Sequence, residues 1–181
     1  MSDYLLIVMT EKQENILMTA LELFATEGYH AVSTSKIAKR AGVSEALIFR
    51  HFENKEGLLQ AIMNIAEEKT KKVFAEIVME PEPKEVLRKV LELPFMIPAS
   101  EYQVWRLTYT LKWQMQTYNG KKMEPLRMAL GNAFKKLGYK YPEAEAELIL
   151  IWIDGAATAL LLHESTNKKA ILKVLFDKYD L

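Results

Sequence analysis

The chain has 181 residues, half of them hydrophobic, and its 24 basic and 24 acidic residues give a formal net charge of zero. This hydrophobic content excludes a disordered protein, and the length permits one larger domain or a small domain joined to a larger one. The absence of cysteine excludes disulfides, thiolate metal sites and cysteine nucleophiles, and it fits the cytoplasmic localisation that we predict. A neutral total argues against non-specific coating of nucleic acid but leaves open a local basic face.

The first ten residues, MSDYLLIVMT, contain a short apolar run. The run has no basic flank and is too short for a signal peptide or a membrane span. Residues 148–162 are the next most apolar region, but they include Asp154 within an amphipathic pattern. We therefore predict no membrane association. Met1 and Met9 remain alternative start sites, and the apolar run is alternatively an arm that packs on the body of the protein.

Apolar residues recur at helical spacing along the chain, and no strand-like alternation is found. A capping box at Thr10–Gln13 opens the first helix, which ends at Gly28. A short second helix, capped by Ser33 or Thr34, ends at Gly42. Ser44 caps a short third helix that ends near residue 51.

Six further helices are predicted beyond residue 53. A long helix opens at Asn54 and a short one covers residues 86–91, followed by a helix that starts with a capping box at Ser100. The others cover residues 125–137, residues 143–164 and a last segment capped by Thr166 or Asn167. The sequence therefore predicts an all-α fold of about nine helices. It consists of a three-helix helix-turn-helix head (10–53) and a helical bundle for ligand binding and dimerisation (54–181).

The informative segment is residues 33–55, STSKIAKRAGVSEALIFRHFENK. Two short helices flank a tight turn at Ala41-Gly42-Val43-Ser44, with apolar residues spaced to form a small core between them. This is the pattern of a helix-turn-helix, whose second helix enters the major groove of DNA. The segment has five basic residues (Lys36, Lys39, Arg40, Arg50, Lys55) against two acidic ones (Glu45, Glu53).

This segment resembles the DNA-binding domain of the TetR family of transcriptional regulators. The resemblance covers about residues 13–62 and is architectural beyond them. It is carried by several spaced elements that agree in order: Phe24-Ala25-x-x-Gly28, Thr34-x-x-Ile37-Ala38, Ala41-Gly42-Val43-Ser44, Phe49-Arg50-His51-Phe52 and Asn54-Lys55-Glu56-x-Leu58-Leu59.

The resemblance implies that residues 45–51 read base edges and that Thr34 and Lys55 hold phosphates. It also implies groove or backbone contacts from Arg50 and His51. Ordinary solvated surface charge is the alternative for each basic residue. The predicted DNA-binding residues are Thr34, Ser35, Lys36, Ser44, Glu45, Ala46, Leu47, Phe49, Arg50, His51 and Lys55.

Three residues depart from the family pattern on the reading helix. Glu45 stands where the family often has a lysine or a neutral residue, and it would repel phosphates but accept from a cytosine amino group. Phe49 replaces the usual tyrosine and lacks its hydroxyl, while Leu47 stands where a small or hydroxyl residue is usual. These changes alter which bases are read.

No pattern in the sequence indicates catalysis, a metal site or a cofactor. The three histidines, His30, His51 and His163, are far apart, and none is paired with a second ligand at helical spacing. No nucleophile motif, phosphate-binding loop or dinucleotide fingerprint is present. We therefore predict a protein that is not an enzyme and needs no cofactor.

Aromatic residues recur at helical spacing between Ser100 and Tyr118. One interpretation is the wall of a pocket for a small apolar or aromatic effector, which the family resemblance favours, and the alternative is core packing. The predicted pocket residues are Tyr102, Trp105, Tyr109 and Trp113, with Phe74 and Trp152 as weaker candidates.

Small residues near Asp154 would let another helix approach closely. Together with the last helix they predict a homodimer interface of four helices, with packing inside one subunit as the alternative. The predicted interface residues are Trp152, Gly155, Ala156, Ala159, His163, Ile171, Leu175 and Tyr179.

The predicted function is sequence-specific regulation of transcription. We expect a repressor that binds a near-palindromic operator in double-stranded DNA and is released by the effector. The alternative is a helical ligand-binding or protein-interaction module with a degenerate DNA-binding head.

Overall fold

The computed structural model describes residues 9–114, 120–162 and 167–181. These residues form nine α-helices and no strand, which confirms the all-α prediction. None of these helices is both long enough and apolar enough to cross a membrane. The helices are α1 (Glu11–Glu27), α2 (Thr34–Ala41), α3 (Glu45–Phe52), α4 (Lys55–Val78), α5 (Pro83–Glu92), α6 (Tyr102–Gln114), α7 (Glu124–Lys136), α8 (Pro142–Leu162) and α9 (Lys168–Tyr179).

The first three helices have the predicted ends. The Thr10–Gln13 capping box is formed, and α1 ends at Gly28, whose φ is 88°. The side chains of Ser33 and Ser44 accept hydrogen bonds from the first turns of α2 and α3. Gly42 takes the left-handed conformation, φ 68° and ψ 32°, which an amino acid with a side chain rarely adopts. The helix-turn-helix prediction is therefore confirmed.

Packing divides the described chain into two compact units. The first contains residues 9–70 and 99–114, and its core includes Ile16, Phe24, Ile37 and Ile48 from the head. Leu107 and Leu111 of α6 lie in this same core, so the head does not bury its apolar surface alone. The predicted roles, DNA binding for residues 10–53 and ligand binding and dimerisation for residues 54–181, stay predictions.

The second unit contains residues 71–98, 120–162 and 167–181. Its core lies between α5, α7 and α8, and Phe134 of α7 is fully buried there beside the ring of Tyr139. Tyr179 of α9 is also buried, and its hydroxyl donates to Glu145. Burial, reinforced by the Glu145 carboxylate, raises the pKa of Tyr179 to about 12.

The predicted capping box at Ser100 is wrong. Residues Ala99–Glu101 form a 3₁₀ turn before α6, so Ser100 is already helical and does not have the extended backbone of a cap. The Glu101 carboxylate instead accepts from the Lys69 ammonium and, at 3.4 Å, from the Trp105 indole. At α9, Asn167 is the capping residue, and it accepts from the amide of Ala170.

A tight turn joins α3 to α4. The Asn54 amide donates to the Phe52 carbonyl at 2.7 Å across Glu53, whose φ is 65° and ψ −48°, the geometry of a strained γ-turn. The Asn54 side chain then accepts from the Gly57 amide. A Cβ added to Gly57 would lie 1.9 Å from the Phe52 carbonyl oxygen, so the turn requires glycine at this position.

We predict that Gly57→Ala lowers the free energy of unfolding by about 2 kcal/mol, because the backbone of the turn must move to admit the methyl group. The matched control is Gly131→Ala in α7, where an added Cβ meets no atom within 4 Å. That variant should instead gain about 1 kcal/mol from helix propensity. Urea denaturation followed by circular dichroism measures both. Equal stabilisation by the two alanines would contradict the proposed fit of Gly57.

Candidate nucleic-acid interface

The second helix of the helix-turn-helix, α3, has one buried and one exposed face. Ile48 is fully buried and Phe52 nearly so, and they fix the helix on the core of the first unit. On the opposite face Ala46 and Arg50 are exposed, and the Phe49 ring, at 46% exposure, is unusually open for an aromatic side chain. Leu47 is half-buried against the core. Ala46, Phe49 and Arg50 therefore form the open surface of α3.

The basic side chains around this surface differ in how they are neutralised. The Lys36 ammonium pairs with Glu27, and the Arg40 guanidinium lies 3.3 Å from Glu22. Lys39 and Arg50 are exposed, and neither makes an ion pair or hydrogen bond within the described parts of the chain. Among the described residues, these two side chains therefore add positive charge beside α3 that no acidic group neutralises.

Glu45 connects the starts of the two helices. The hydroxyl of Thr34, in the first turn of α2, donates to Glu45 Oε1 at 2.6 Å. The carboxylate also lies in the first turn of α3, where the exposed amides and the helix dipole favour negative charge. Glu45 thus stabilises the helix pair and occupies the hydroxyl proton of Thr34.

Lys55 is held by protein groups. Its ammonium donates to the carbonyls of Tyr29 and Val32 at 3.1 and 3.0 Å, and it lies 4.5 Å from the centre of the Tyr29 ring. Lys55 therefore fixes the segment between α1 and α2, and its predicted phosphate contact stays a prediction.

The Tyr29 hydroxyl extends this cluster to the start of α4 by donating to Glu56 at 3.1 Å. Burial, with the Glu56 carboxylate, raises the pKa of Tyr29 to about 12. Backbone hydrogen bonding at the helix start, and then the Tyr29 hydroxyl, lower the pKa of Glu56. At neutral pH the phenol is therefore a donor and the carboxylate an acceptor.

Two polar side chains of α1 support the helix-turn-helix from behind. The Asn15 amide donates to the Ala41 carbonyl at 2.9 Å, which satisfies an acceptor at the end of α2. The Gln13 amide nitrogen lies 3.2 Å from Nδ1 of His51. Sequence reasoning missed both contacts, because each bond joins positions more than twenty residues apart and no local pattern predicts it.

The predicted pocket residues divide between the units. Tyr102, Trp105 and Tyr109 are half-buried in the first unit, whereas Phe74 and Trp152 pack against the core of the second. Neither unit brings the whole predicted wall together, and the side chain of Trp113 lies outside the described residues.

Trp105 lines a narrow cleft of about 30 Å³ in the first unit. Met18 and Leu21 of α1 and Ile65 of α4 form its apolar side, and the Lys69–Glu101 ion pair forms its polar side. No cluster of histidine and acidic side chains suited to a metal ion occurs in the residues that the structure describes.

An apolar stripe runs along α8. Leu148 (47%), Ile151 (62%) and Leu162 (68%) are exposed at helical spacing, and exposed Gly155 lies on the same stripe. Val174 of α9 is also 66% exposed. Sequence reasoning identified the glycine but missed these larger side chains, because a helix that is apolar on all sides does not reveal which side its own subunit covers.

Other predicted interface residues differ in accessibility. Ala156, Ala159, Ile171 and Leu175 are half-buried, and Trp152 packs near the ring of Phe95. Tyr179 lies in the core of its own unit, and its role in the interface stays a prediction. His163 lies outside the described residues.

Comparison with known proteins agrees with this geometry. Residues 16–62 match the family described as bacterial regulatory proteins, tetR family. An uncharacterized helix-turn-helix transcriptional regulator of Bacillus subtilis, YvkB, is 45% identical over 56 residues. That match covers 31% of this chain and 30% of the relative, so the chain matches less than a third of that relative's length.

Solved structures match over nearly the whole chain. A TetR transcriptional regulator from Legionella pneumophila aligns with a TM-score of 0.67 at 20% identity, covering 95% of this chain and 98% of the other. AibR, in complex with isovaleryl coenzyme A and operator DNA, also aligns with a TM-score of 0.67 at 20% identity and covers 91% and 96%. At such identity these structures show a shared fold. Residues 16–62 therefore match the tetR family, and nearly the whole chain shares the fold of a solved TetR regulator.

Proposed function

We propose that this protein is a sequence-specific, dimeric DNA-binding regulator of transcription, and that it represses until a small effector releases it. The observation that carries the proposal is the exposed face of α3, where Phe49 and Arg50 project from a helix anchored by Ile48. An anchored helix with an open aromatic ring and an unpaired guanidinium suits the major groove.

The reading surface has two kinds of contact. Arg50 donates two parallel hydrogen bonds to a guanine edge, and Phe49 contacts a thymine methyl group. Lys39, at the end of α2, neutralises a phosphate and carries no base information. Because Thr34 uses one oxygen of Glu45, the other oxygen remains to accept from a cytosine amino group.

Dimerisation uses the stripe on α8, together with Val174 of α9. A two-fold axis would bring the same patch of each subunit together. This contact would remove the exposed side chains of Leu148 and Ile151 from water. Open space beside Gly155 allows the close approach of the partner helix. The two heads then read half-sites about one DNA turn, roughly 34 Å, apart.

The effector binds beside α6. Trp105 and Met18 give the cleft an apolar wall for an apolar or aromatic group, and the Lys69–Glu101 pair gives it a polar end. AibR, a structural relative, is bound to both an acyl-CoA and operator DNA. Because Leu107 and Leu111 of α6 belong to the core of the head, a ligand that shifts α6 also shifts α1. The ligand causes release of DNA if it binds the non-DNA-binding state of the protein more tightly than the DNA-binding state.

A degenerate head that no longer binds DNA is the competing hypothesis. Glu45 and Phe49 favour it because they remove a positive charge and a hydroxyl that relatives place near phosphates. Selection of bound fragments from random-sequence DNA at two salt concentrations separates the two hypotheses. A regulator enriches a near-palindrome and loses affinity steeply as salt rises, whereas the absence of any enriched sequence at low salt contradicts the proposal.

We predict that Arg50→Ala and Lys39→Ala weaken DNA binding in different ways. Arg50→Ala should weaken the free energy of DNA binding by about 1–3 kcal/mol and relax the preference at particular base pairs, because a base contact is lost. Lys39→Ala should weaken binding to all sequences alike. The slope of the logarithm of the binding constant against the logarithm of the salt concentration should become shallower by about one, as expected for the loss of one phosphate contact. Repeating the selection with each variant tests this prediction. Uniform losses from both variants would remove the base-reading role from Arg50.

The dimer interface predicts that Ile151→Glu raises the dissociation constant of the dimer by about tenfold or more, because a two-fold axis buries each introduced carboxylate. Sedimentation velocity measures the monomer fraction. The matched control is Met79→Glu, since Met79 is 80% exposed and lies outside α8 and α9. Gly155→Leu should also weaken the dimer. The subunit itself has room for the added side chain, but this side chain would block the close approach of the partner helix. An unchanged dimer in both α8 variants would remove α8 from the interface.

We predict that effectors found by screening quench or shift the fluorescence of Trp105. Trp105→Phe should abolish this change, whereas Trp152→Phe, in the second unit, should preserve it. Fluorescence titration of both variants with the same compound tests the location. A signal that is lost only in Trp152→Phe would place the effector elsewhere in the chain.

A further inference from the structure

The capping box of α1 contacts the reading helix. Oε1 of the Gln13 side chain accepts from the Thr10 amide at 2.8 Å and from the Thr10 hydroxyl at 3.0 Å. Its Nε2 lies 3.2 Å from Nδ1 of His51, which is 38 residues away in α3. One side-chain amide therefore joins the start of the first helix to the end of the third.

These partners fix the direction of the second bond. A backbone amide only donates, so the Gln13 atom that faces Thr10 must be the oxygen. The nitrogen of the Gln13 amide also only donates, so Nδ1 of His51 must accept and cannot hold a proton. In the neutral ring the proton is then on Nε2. The tautomer of His51 thus follows from the backbone amide of Thr10, the residue that caps α1.

We propose that Gln13 is a positioning residue that holds His51 as an Nε2–H donor for a phosphate oxygen of the DNA backbone. This inference rests on the proposed function. The His51 ring is half-buried beside Phe52, and its Nε2 has no partner within the described residues. Phosphate oxygens accept and never donate, so this tautomer binds one, whereas the Nδ1–H tautomer would direct a lone pair at it.

The first test measures the tautomer in the free protein. Imidazole ¹⁵N shifts at about pH 8, where an ordinary histidine is neutral, should show His51 protonated at Nε2. His51→Gln assigns the resonance among the three histidines. Gln13→Glu keeps the capping box, since glutamate is the usual partner of such a cap, but it presents an acceptor to Nδ1. In that variant the proton should move to Nδ1, or the ring should gain a second proton.

The second test measures DNA affinity with a random-sequence duplex at low salt, because a phosphate contact does not depend on sequence. Gln13→Ala should weaken binding about three- to tenfold, the usual effect of losing one hydrogen bond. The matched control is Thr10→Ala, which removes the capping hydroxyl but keeps the amide that orients Gln13. This control should stay within about twofold of the parent chain.

The outcomes separate this inference from the proposed function. If the parent chain binds no duplex, the proposed function fails, and the tautomer measurement still decides whether Gln13 sets the state of His51. An Nδ1–H tautomer in the parent chain overturns the inference, and so does a tautomer unchanged in Gln13→Glu. Equal losses of affinity in Gln13→Ala and Thr10→Ala overturn it as well, because they would reflect the cap alone.

Discussion

The burial of Ile48 and Ile37 in one core is the constraint on which the proposed DNA-binding surface depends. Both side chains are fully buried, and they fix the rotation of α3 about its own axis. With 3.6 residues per turn, a fixed Ile48 leaves Phe49 and Arg50 on the open side. A rotation of one residue, about 100°, would either expose Ile48 or bury Phe49 in its place. The left-handed turn at Gly42 then sets the direction in which the chain enters α3.

Charge around this surface is distributed by pairing. Glu27 and Glu22 neutralise Lys36 and Arg40 at the surface, where such pairs contribute little stability because water screens them. Their larger effect is to leave the positive field concentrated at Lys39 and Arg50. A neutral chain can therefore present a local basic face without an excess of lysine and arginine.

The sequence predicts the local features of the fold well. Caps such as Ser33, Ser44 and Asn167, and the glycine ends at Gly28 and Gly42, depend on neighbours within four residues and can be read directly. The capping box predicted at Ser100 is not formed, because a 3₁₀ turn over Ala99–Glu101 already precedes α6. The Glu101 side chain pairs with Lys69, 32 residues earlier in the chain, and no local pattern predicts that contact.

The site is predicted less completely, for the same physical reason. The family resemblance selected Lys55 but gave no sign that two carbonyls of a distant segment hold its ammonium. The sequence pattern selected Gly155 but could not distinguish Ile151, which is exposed, from Ile153, which is buried, because both lie in one continuous apolar run. Long-range packing decides these cases, and no periodicity encodes it.

The contribution of α6 to the core of the head has a consequence for cooperativity. Leu107 and Leu111 cover apolar surface that residues 9–70 would otherwise expose to water. A head made of three helices therefore does not open independently of a segment about fifty residues further along the chain. Backbone amides in α1 and α6 should exchange with solvent as one unit, since neither helix loses its packing without the other.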